Sequence, residues 1–260
     1  MEYKTLKVEV YNNAAKIIFD RPREGNSVSL EFVKELAQIS EVLKNDPEIR
    51  LVLLTGNGKH FSVGGDLKSF AAAGEEISAH LREVTLHLNE AVLNFVRMNK
   101  PVVAVVNGTV AGAGMGLVCS ADIVIASDNS RFVMAYTKAG LTPDGGTSYL
   151  LPRLIGLRKS MELALLNRML TAEEALEWGL ITRTCSETEL ESTVDSLVDT
   201  MASGAVEAFG KTKDLLYSSL EATLEDHLEK ESLTISEKVS SLEGKEGITA
   251  FLEKRKPNFN

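Results

Sequence analysis

Asp144 is the residue whose setting most invites a chemical reading. It stands in "GLTPDGGTSYLLPRLIG", Gly140 to Gly156, with Pro143 before it and the Gly145-Gly146 pair after it. Pro and Asp are favoured in turns, so this carboxylate has a plain use as a turn former or helix cap. Held in a pocket, the same group can act as a general acid or base. Two glycine-rich stretches offer the complementary chemistry. "KHFSVGGDLKSF", Lys59 to Phe70, sets Gly64-Gly65 just ahead of a helix beginning at Asp66 and Leu67, and "NGTVAGAGMGLVCSADI" repeats glycine at 112, 114 and 116 after an apolar run. Backbone N–H groups at a strand-to-helix glycine turn point outward and can hold an anion or a developing oxyanion. The plain alternative at the first turn is a tight bend in which Asp66 caps the helix. Two such turns, each ending a parallel strand, can aim one N–H each at a single carbonyl, which is how an oxyanion hole is built.

Other chemistries fit less well. A dinucleotide fingerprint needs G-x-G-x-x-G in the first strand-to-helix turn, whereas the spacing here is G-x-G-x-G and begins at Gly112. His60, His80 and His227 have no Cys or carboxylate at metal-ligand spacing, so no metal is assigned.

These residues need rigid elements to position them. Leu6, Val8 and Val10 alternate with polar residues and "AAKIIFD" follows an Asn12-Asn13 turn, which reads as an opening β-hairpin. Ser29 caps a helix with Val33, Leu36, Ile39 and Leu43 on one face. "LVLLTG" from Leu51, "PVVAVVNG" from Pro101 and "DIVIAS" from Asp122 are continuous apolar runs of buried parallel strands, with a long helix over about 76–97 between the first two. Strand, helix and strand in this order imply parallel βαβ units. "TAEEALEWG" carries a capping box, Thr171 with Glu174, and stops at Gly179. From Glu187 onward the periodicity is helical. The expectation is an α/β chain with a core over 1–190 and a helical oligomerisation region over 191–260.

Composition narrows the function. The chain has 260 residues, 44% hydrophobic and 25% charged, within the range of globular domains. A formal net charge of -9 argues against a nucleic-acid binder. Cys119 and Cys185 are the only cysteines and read as reduced thiols. The N-terminus lacks a signal peptide's basic start and apolar run, and no stretch has the roughly 18 apolar residues of a spanning helix. The expectation is a cytoplasmic protein with no membrane partner.

"FSVGGDLKSF", then "KPVVAVVNGTVAGAGMGLVCSADIVIAS", then "GLTPDGGTSYLLPRLIG", in this order and spacing, resemble the crotonase family, the enoyl-CoA hydratase/isomerase superfamily. "FDRPREGNSVS" near the start is similar to that family's first CoA-binding segment and "FLEKRKPNF" to its C-terminus, so the resemblance spans nearly the whole chain. It implies a crotonase-like ββα spiral core with a helical C-terminal subdomain, and an acyl-CoA substrate whose coenzyme A is part of the thioester, with no separate cofactor. It puts the oxyanion donors at the N–H groups of Gly65 and Ala113. CoA is expected along Arg23, Glu24 and Asn26 and along Ser62, Gly64, Asp66 and Leu67, with Lys68 and the Lys254-Arg255-Lys256 cluster as candidates for its phosphates. A homotrimer or dimer of trimers is implied.

The chain also departs from the family pattern. Hydratases of the family use two glutamates, and the matching positions here hold Gly116 and Tyr136. Neither can do a carboxylate's work. Some isomerase branches carry one working carboxylate at the position of Asp144, and this stretch resembles that of 1,2-epoxyphenylacetyl-CoA isomerases and Δ3,Δ2-enoyl-CoA isomerases. The expected reaction is a double-bond shift from 3-enoyl to 2-enoyl thioester, or rearrangement of a ring epoxide of phenylacetyl-CoA, with Asp144 as acid/base. Hydratase or other thioester chemistry, including a nucleophilic Asp144, and CoA binding without catalysis stay open. Tyr136 and Lys138 flank the site in sequence and are candidates to shape the pocket, with packing or a surface place as the plain alternative for both. On the long helix, His87, Asn89 and Glu90 are candidates for substrate contact.

Overall fold

The computed structural model describes residues 3–259. Leu6–Tyr11 (β1) and Ala14–Phe19 (β2) form an antiparallel hairpin. Asn12 and Asn13 at its tip both take positive φ, 47° and 59°, the conformation that a two-residue hairpin turn demands and asparagine tolerates. The helix Leu30–Asn45 (α1) follows, with the Ser29 hydroxyl accepting from the Phe32 N–H at its cap. Then come Leu51–Gly56 (β3), His60–Ser62 (β4), Leu67–Ala72 (α2) and the long Ile77–Arg97 (α3). Val102–Val106 (β5), Thr109–Ala111 (β6) and Ala113–Cys119 (α4) make a second unit, and Ile123–Ser127 (β7) and Arg131–Val133 (β8) open a third. Thr147–Ile155 (α5), Leu157–Leu166 (α6), Leu170–Thr171 (β9), Ala172–Trp178 (α7) and Arg183–Cys185 (β10) complete it. Leu190–Ala202 (α8), Val206–Ser218 (α9), Leu224–Ser240 (α10) and Leu242–Leu252 (α11) close the chain.

The long strands, with the three-residue β10 at one edge, build a six-stranded sheet in the order β1-β2-β3-β5-β7-β10, parallel apart from the opening hairpin. The short strands build a second sheet, β4-β6-β8-β9. β3, β5 and β7 each hand the chain to a short strand of the second sheet before a helix returns it, so the repeat is ββα rather than βαβ. This is the crotonase-like ββα spiral. The apolar runs locate the long strands; each short strand spans two or three residues and shows no period of its own.

Alternation along β3 and β5 divides the core. Val52, Leu54, Val102, Ala104 and Val106 face the side packed by α1, α3 and α4. Leu51, Leu53, Val103 and Val105 face the other side, where Leu190, Val194, Val198 and Ala202 of α8 cover them. A one-residue slip would exchange the two faces, so register is strongly specified. Each fully buried Leu or Val contributes about 1.5–3 kcal/mol. Hence α8, within the helical 191–260 stretch apart from its first residue, packs on the sheet itself. Many apolar side chains after it are exposed, among them Leu216, Leu224, Leu228, Ile235, Leu242 and Phe251. Among the described residues no helix is long and apolar enough to cross a membrane.

Candidate active site

The two glycine turns meet backbone on backbone. A Cβ added to Gly64 would lie 2.9 Å from the Ala111 carbonyl oxygen and 3.1 Å from the Gly112 Cα, and both glycines have positive φ, 91° and 49°. Any side chain there would push the turns apart. A Cβ on Gly112 would reach within 3.9 Å of the Gly65 nitrogen. Gly65 N and Ala113 N therefore lie on adjoining turns, and among the described residues neither donates to a protein acceptor. Ala113 is the first residue of α4 and has no carbonyl four residues back.

The first turn is braced from behind. Asn26 is fully buried; its Oδ1 accepts from the Arg21 N–H, and its Nδ2 donates to the carbonyls of Asn57 (3.0 Å) and His60 (2.7 Å). The Ser62 hydroxyl, also buried, donates to the Asn26 carbonyl at 2.8 Å and accepts from the Gly64 N–H. Asp66 caps α2 through the Ser69 N–H and pairs with Arg21 at 3.0 Å. Burial pushes the Asp66 carboxyl up, but the Arg21 guanidinium and the Ser69 N–H outweigh it and hold the group below the usual carboxylate range. The capping alternative for Asp66 is thus realised, and the side chains of Asn26 and Ser62 are committed to hydrogen bonds inside the protein. Arg23, Glu24, Leu67 and Lys68 are exposed.

Asp144 is half-buried beyond the second turn. Its carbonyl accepts from both the N–H (3.0 Å) and hydroxyl (2.8 Å) of Thr147, and Gly145 and Gly146 take positive φ of 55° and 75° to turn the chain into α5. The turn former and the chemical group are therefore one residue, with the backbone making the turn and the side chain left over. Its Oδ1 accepts from the Tyr136 hydroxyl at 2.7 Å. Burial raises the Asp144 carboxyl above its ordinary value, with the Tyr136 hydrogen bond opposing. The Tyr136 phenol is pushed up by burial and by the Asp144 charge, so it stays a donor. The loop fits because position 116 is glycine, whose added Cβ would lie 2.5 Å from the Gly145 carbonyl oxygen.

Gly65, Ala113 and Asp144 all line one cavity of about 450 Å³, along with Gly112, Ala135 and Tyr136. The long helix α3 contributes Ser78, Leu81, Arg82 and Thr85 to the wall. The expectation that this helix touches the site holds for the element but not for His87, Asn89 or Glu90, which do not line this cavity. Asn89 lines a second cavity of about 660 Å³ against α5 and α9, and His87 sits 3.5 Å from Glu90. The spacing of 78, 81, 82 and 85 is a helical face, a signal the sequence carries without saying which face meets the turns. Of the two residues expected to shape the pocket or merely pack, Lys138 is exposed and lines no part of the cavity, whereas Tyr136 is buried and lines it. Arg255 is engaged with Glu246 at 2.6 Å, an exposed pair that lowers the Glu246 carboxyl to about 2, so within its cluster Lys254 and Lys256 remain for an anion. Among the described residues no three His, Cys, Asp or Glu side chains gather to hold a metal ion.

Residues 9–260 match the family model for enoyl-CoA hydratase/isomerase. The chain is 32% identical to a trans-2-decenoyl-[acyl-carrier-protein] isomerase of Streptococcus mutans, over 100% of the chain and 99% of the relative. To a 1,2-epoxyphenylacetyl-CoA isomerase of Escherichia coli it is 36% identical, over 94% of the chain and 93% of the relative. Among solved structures, an enoyl-CoA hydratase of Bacillus anthracis superposes with a TM-score of 0.93 at 29% identity, covering 98% of this chain and 99% of that one.

Proposed function

The chain belongs to the enoyl-CoA hydratase/isomerase family, and from that premise we propose that it is an intramolecular isomerase of acyl thioesters with Asp144 as its single acid/base. One observation carries this reading: among the described residues lining the cavity of Gly65 and Ala113, Asp144 is the only carboxylate. The thioester oxygen accepts from the Gly65 and Ala113 N–H groups, each worth about 3 kcal/mol as charge develops on it. Asp144 takes a proton from C2 of a 3-enoyl thioester, the C–H pair passes into the enolate, and the same carboxyl returns the proton at C4 as the double bond moves between C2 and C3. A group raised by burial is a stronger base than an exposed aspartate, which suits the task. On a ring epoxide of phenylacetyl-CoA the same donors stabilise rearrangement to an oxepin.

Hydration needs a second carboxylate to hold and deprotonate water, and Gly116 and Tyr136 supply none. Coenzyme A enters as part of the substrate, along the exposed Arg23, Glu24, Leu67 and Lys68 and the backbone braced by Asn26, Ser62, Gly64 and Asp66. The free thiols Cys119 and Cys185 fit a cytoplasmic setting. A homotrimer, or dimer of trimers, is supported by exposed apolar rows such as Leu157, Met161 and Leu165 on α6. The test is turnover of 3-enoyl-CoA and ring-epoxide thioesters in ¹⁸O-labelled water. Conjugated 2-enoyl product, or a rearranged ring, without ¹⁸O is expected. A labelled 3-hydroxyacyl product would make it a hydratase, and binding without turnover would make it non-catalytic.

A further inference from the structure

We infer that Tyr136 is a positioning residue for the Asp144 carboxylate: its phenol occupies Oδ1 and leaves Oδ2 as the one basic oxygen offered to the cavity. The inference deepens the isomerase reading and rests on it for its catalytic meaning, though not for its test. Tyr136 and Asp144 are eight residues apart, a spacing that no helix or strand brings into register. They meet because Ala135 takes a positive φ of 59° and a 3-10 turn over Thr137–Ala139 follows, closed by Gly140 at φ 70°. The Tyr136 carbonyl accepts from the N–H groups of Ala139 and Leu141, so the ring's backbone is anchored in that turn. Strained backbone at a non-glycine residue persists when its surroundings over-determine it, and it clusters at functional sites.

The hydrogen bond does two things. It fixes the carboxylate's rotation, so that a proton removed from one substrate carbon and returned to another travels on the same oxygen. It also opposes the burial that raises the Asp144 carboxyl, since a donor to the charged form favours that form. Few other charges face the group. From α3 the charged side chain at the cavity is Arg82; α4 brings no ionisable group except the buried Cys119; and on α5 Tyr149 is spent on Glu221 at 2.6 Å, with Arg153 stacked on its ring. The Tyr136 phenol is therefore the side chain that chiefly opposes burial at the Asp144 carboxyl.

The test follows the Asp144 carboxyl by ¹³C NMR of carboxyl-labelled aspartate, assigned with Asp144→Asn, in the full-length protein. In Tyr136→Phe its titration midpoint is expected to rise by about one pH unit, a tenfold change in acidity, as a lost hydrogen bond to a charged group requires. The acid limb of kcat/KM for 3-enoyl isomerisation should move by the same amount, with KM little changed. Site-specific 3-fluorotyrosine at 136, a stronger donor of nearly the same shape, should move the midpoint down, and this arm stands even where Tyr136→Phe does not fold. A midpoint in either variant unchanged from wild type would overturn the assignment. If the wild type turns over no thioester, the isomerase reading fails while the NMR titration still decides the role of Tyr136.

Discussion

Replacing Gly116 with alanine tests why this position carries no side chain. The added methyl carbon would lie 2.5 Å from the Gly145 carbonyl oxygen and 3.0 Å from Thr147 Oγ1, and ordinary contact begins at 3.4 Å. The loop after Asp144 must then retreat by about 0.9 Å, and a displacement near 1 Å is enough to cost about 100-fold in rate. Stability changes far less. Alanine gains about 1 kcal/mol of helix propensity over glycine, and overpacking costs about 1–3 kcal/mol. The net loss is about 1 kcal/mol, small against a typical stability of about 5–15 kcal/mol. Steady-state isomerisation of a 3-enoyl-CoA, read beside a thermal melt, should show kcat down about 100-fold with KM nearly unchanged and the fold intact. Gly116→Glu should not gain hydratase activity, because the Asp144 loop fills the space its carboxylate would need. A Gly116→Ala enzyme with wild-type kcat would refute the reasoning.

Three other outcomes are expected. Asp144→Asn should stabilise the fold by about 1 kcal/mol at neutral pH, as substitutions that relieve functional strain do. Because the folded carboxyl is raised, the ionised form is the penalised one; the gap should open as pH rises from the ordinary carboxylate value through the raised one, hold above it, and vanish in acid, in paired urea melts. Lys213→Met should cost about 3 kcal/mol, since Lys213, 9% exposed, holds Asp122 at 2.8 Å and the Phe95 carbonyl at 2.6 Å; burial lowers the lysine and raises the aspartate, so adding Asp122→Leu should recover much of the loss in a denaturant series. Asn26→Ala should cost about 2–3 kcal/mol by orphaning buried backbone groups, and should lower kcat as the Gly65 turn loses its brace, measured by melts and turnover.

What the sequence makes legible follows from the length of each signal. β3 and β5 are runs whose every residue is buried, and the Thr171–Glu174 capping box is present with both of its hydrogen bonds. β4, β6, β8 and β9 are too short for a period, so the second sheet, and with it the ββα repeat, is invisible to patterning. The helical period of α8 is plain, but only the fold says that it covers the sheet rather than a neighbouring subunit. At the site, Gly64, Gly112 and Asp144 stand out because glycine pairs and Pro-Asp-Gly mark turns. Tyr136 stands out only as a missing glutamate, since its bond to Asp144 depends on a left-handed alanine, and Arg82 and Thr85 do not stand out, because their roles depend on which face of α3 meets the turns. Gly116 reads as a missing glutamate in sequence; in the structure it is the space through which the Asp144 loop passes.

The central claim is that one carboxylate does the proton transfer. The most direct measurement is kcat for isomerisation of a 3-enoyl-CoA by Asp144→Asn, whose side chain keeps the shape but cannot take the proton. The account predicts a fall of about 10³-fold with thioester binding retained. Isomerisation by Asp144→Asn at the wild-type rate would contradict it.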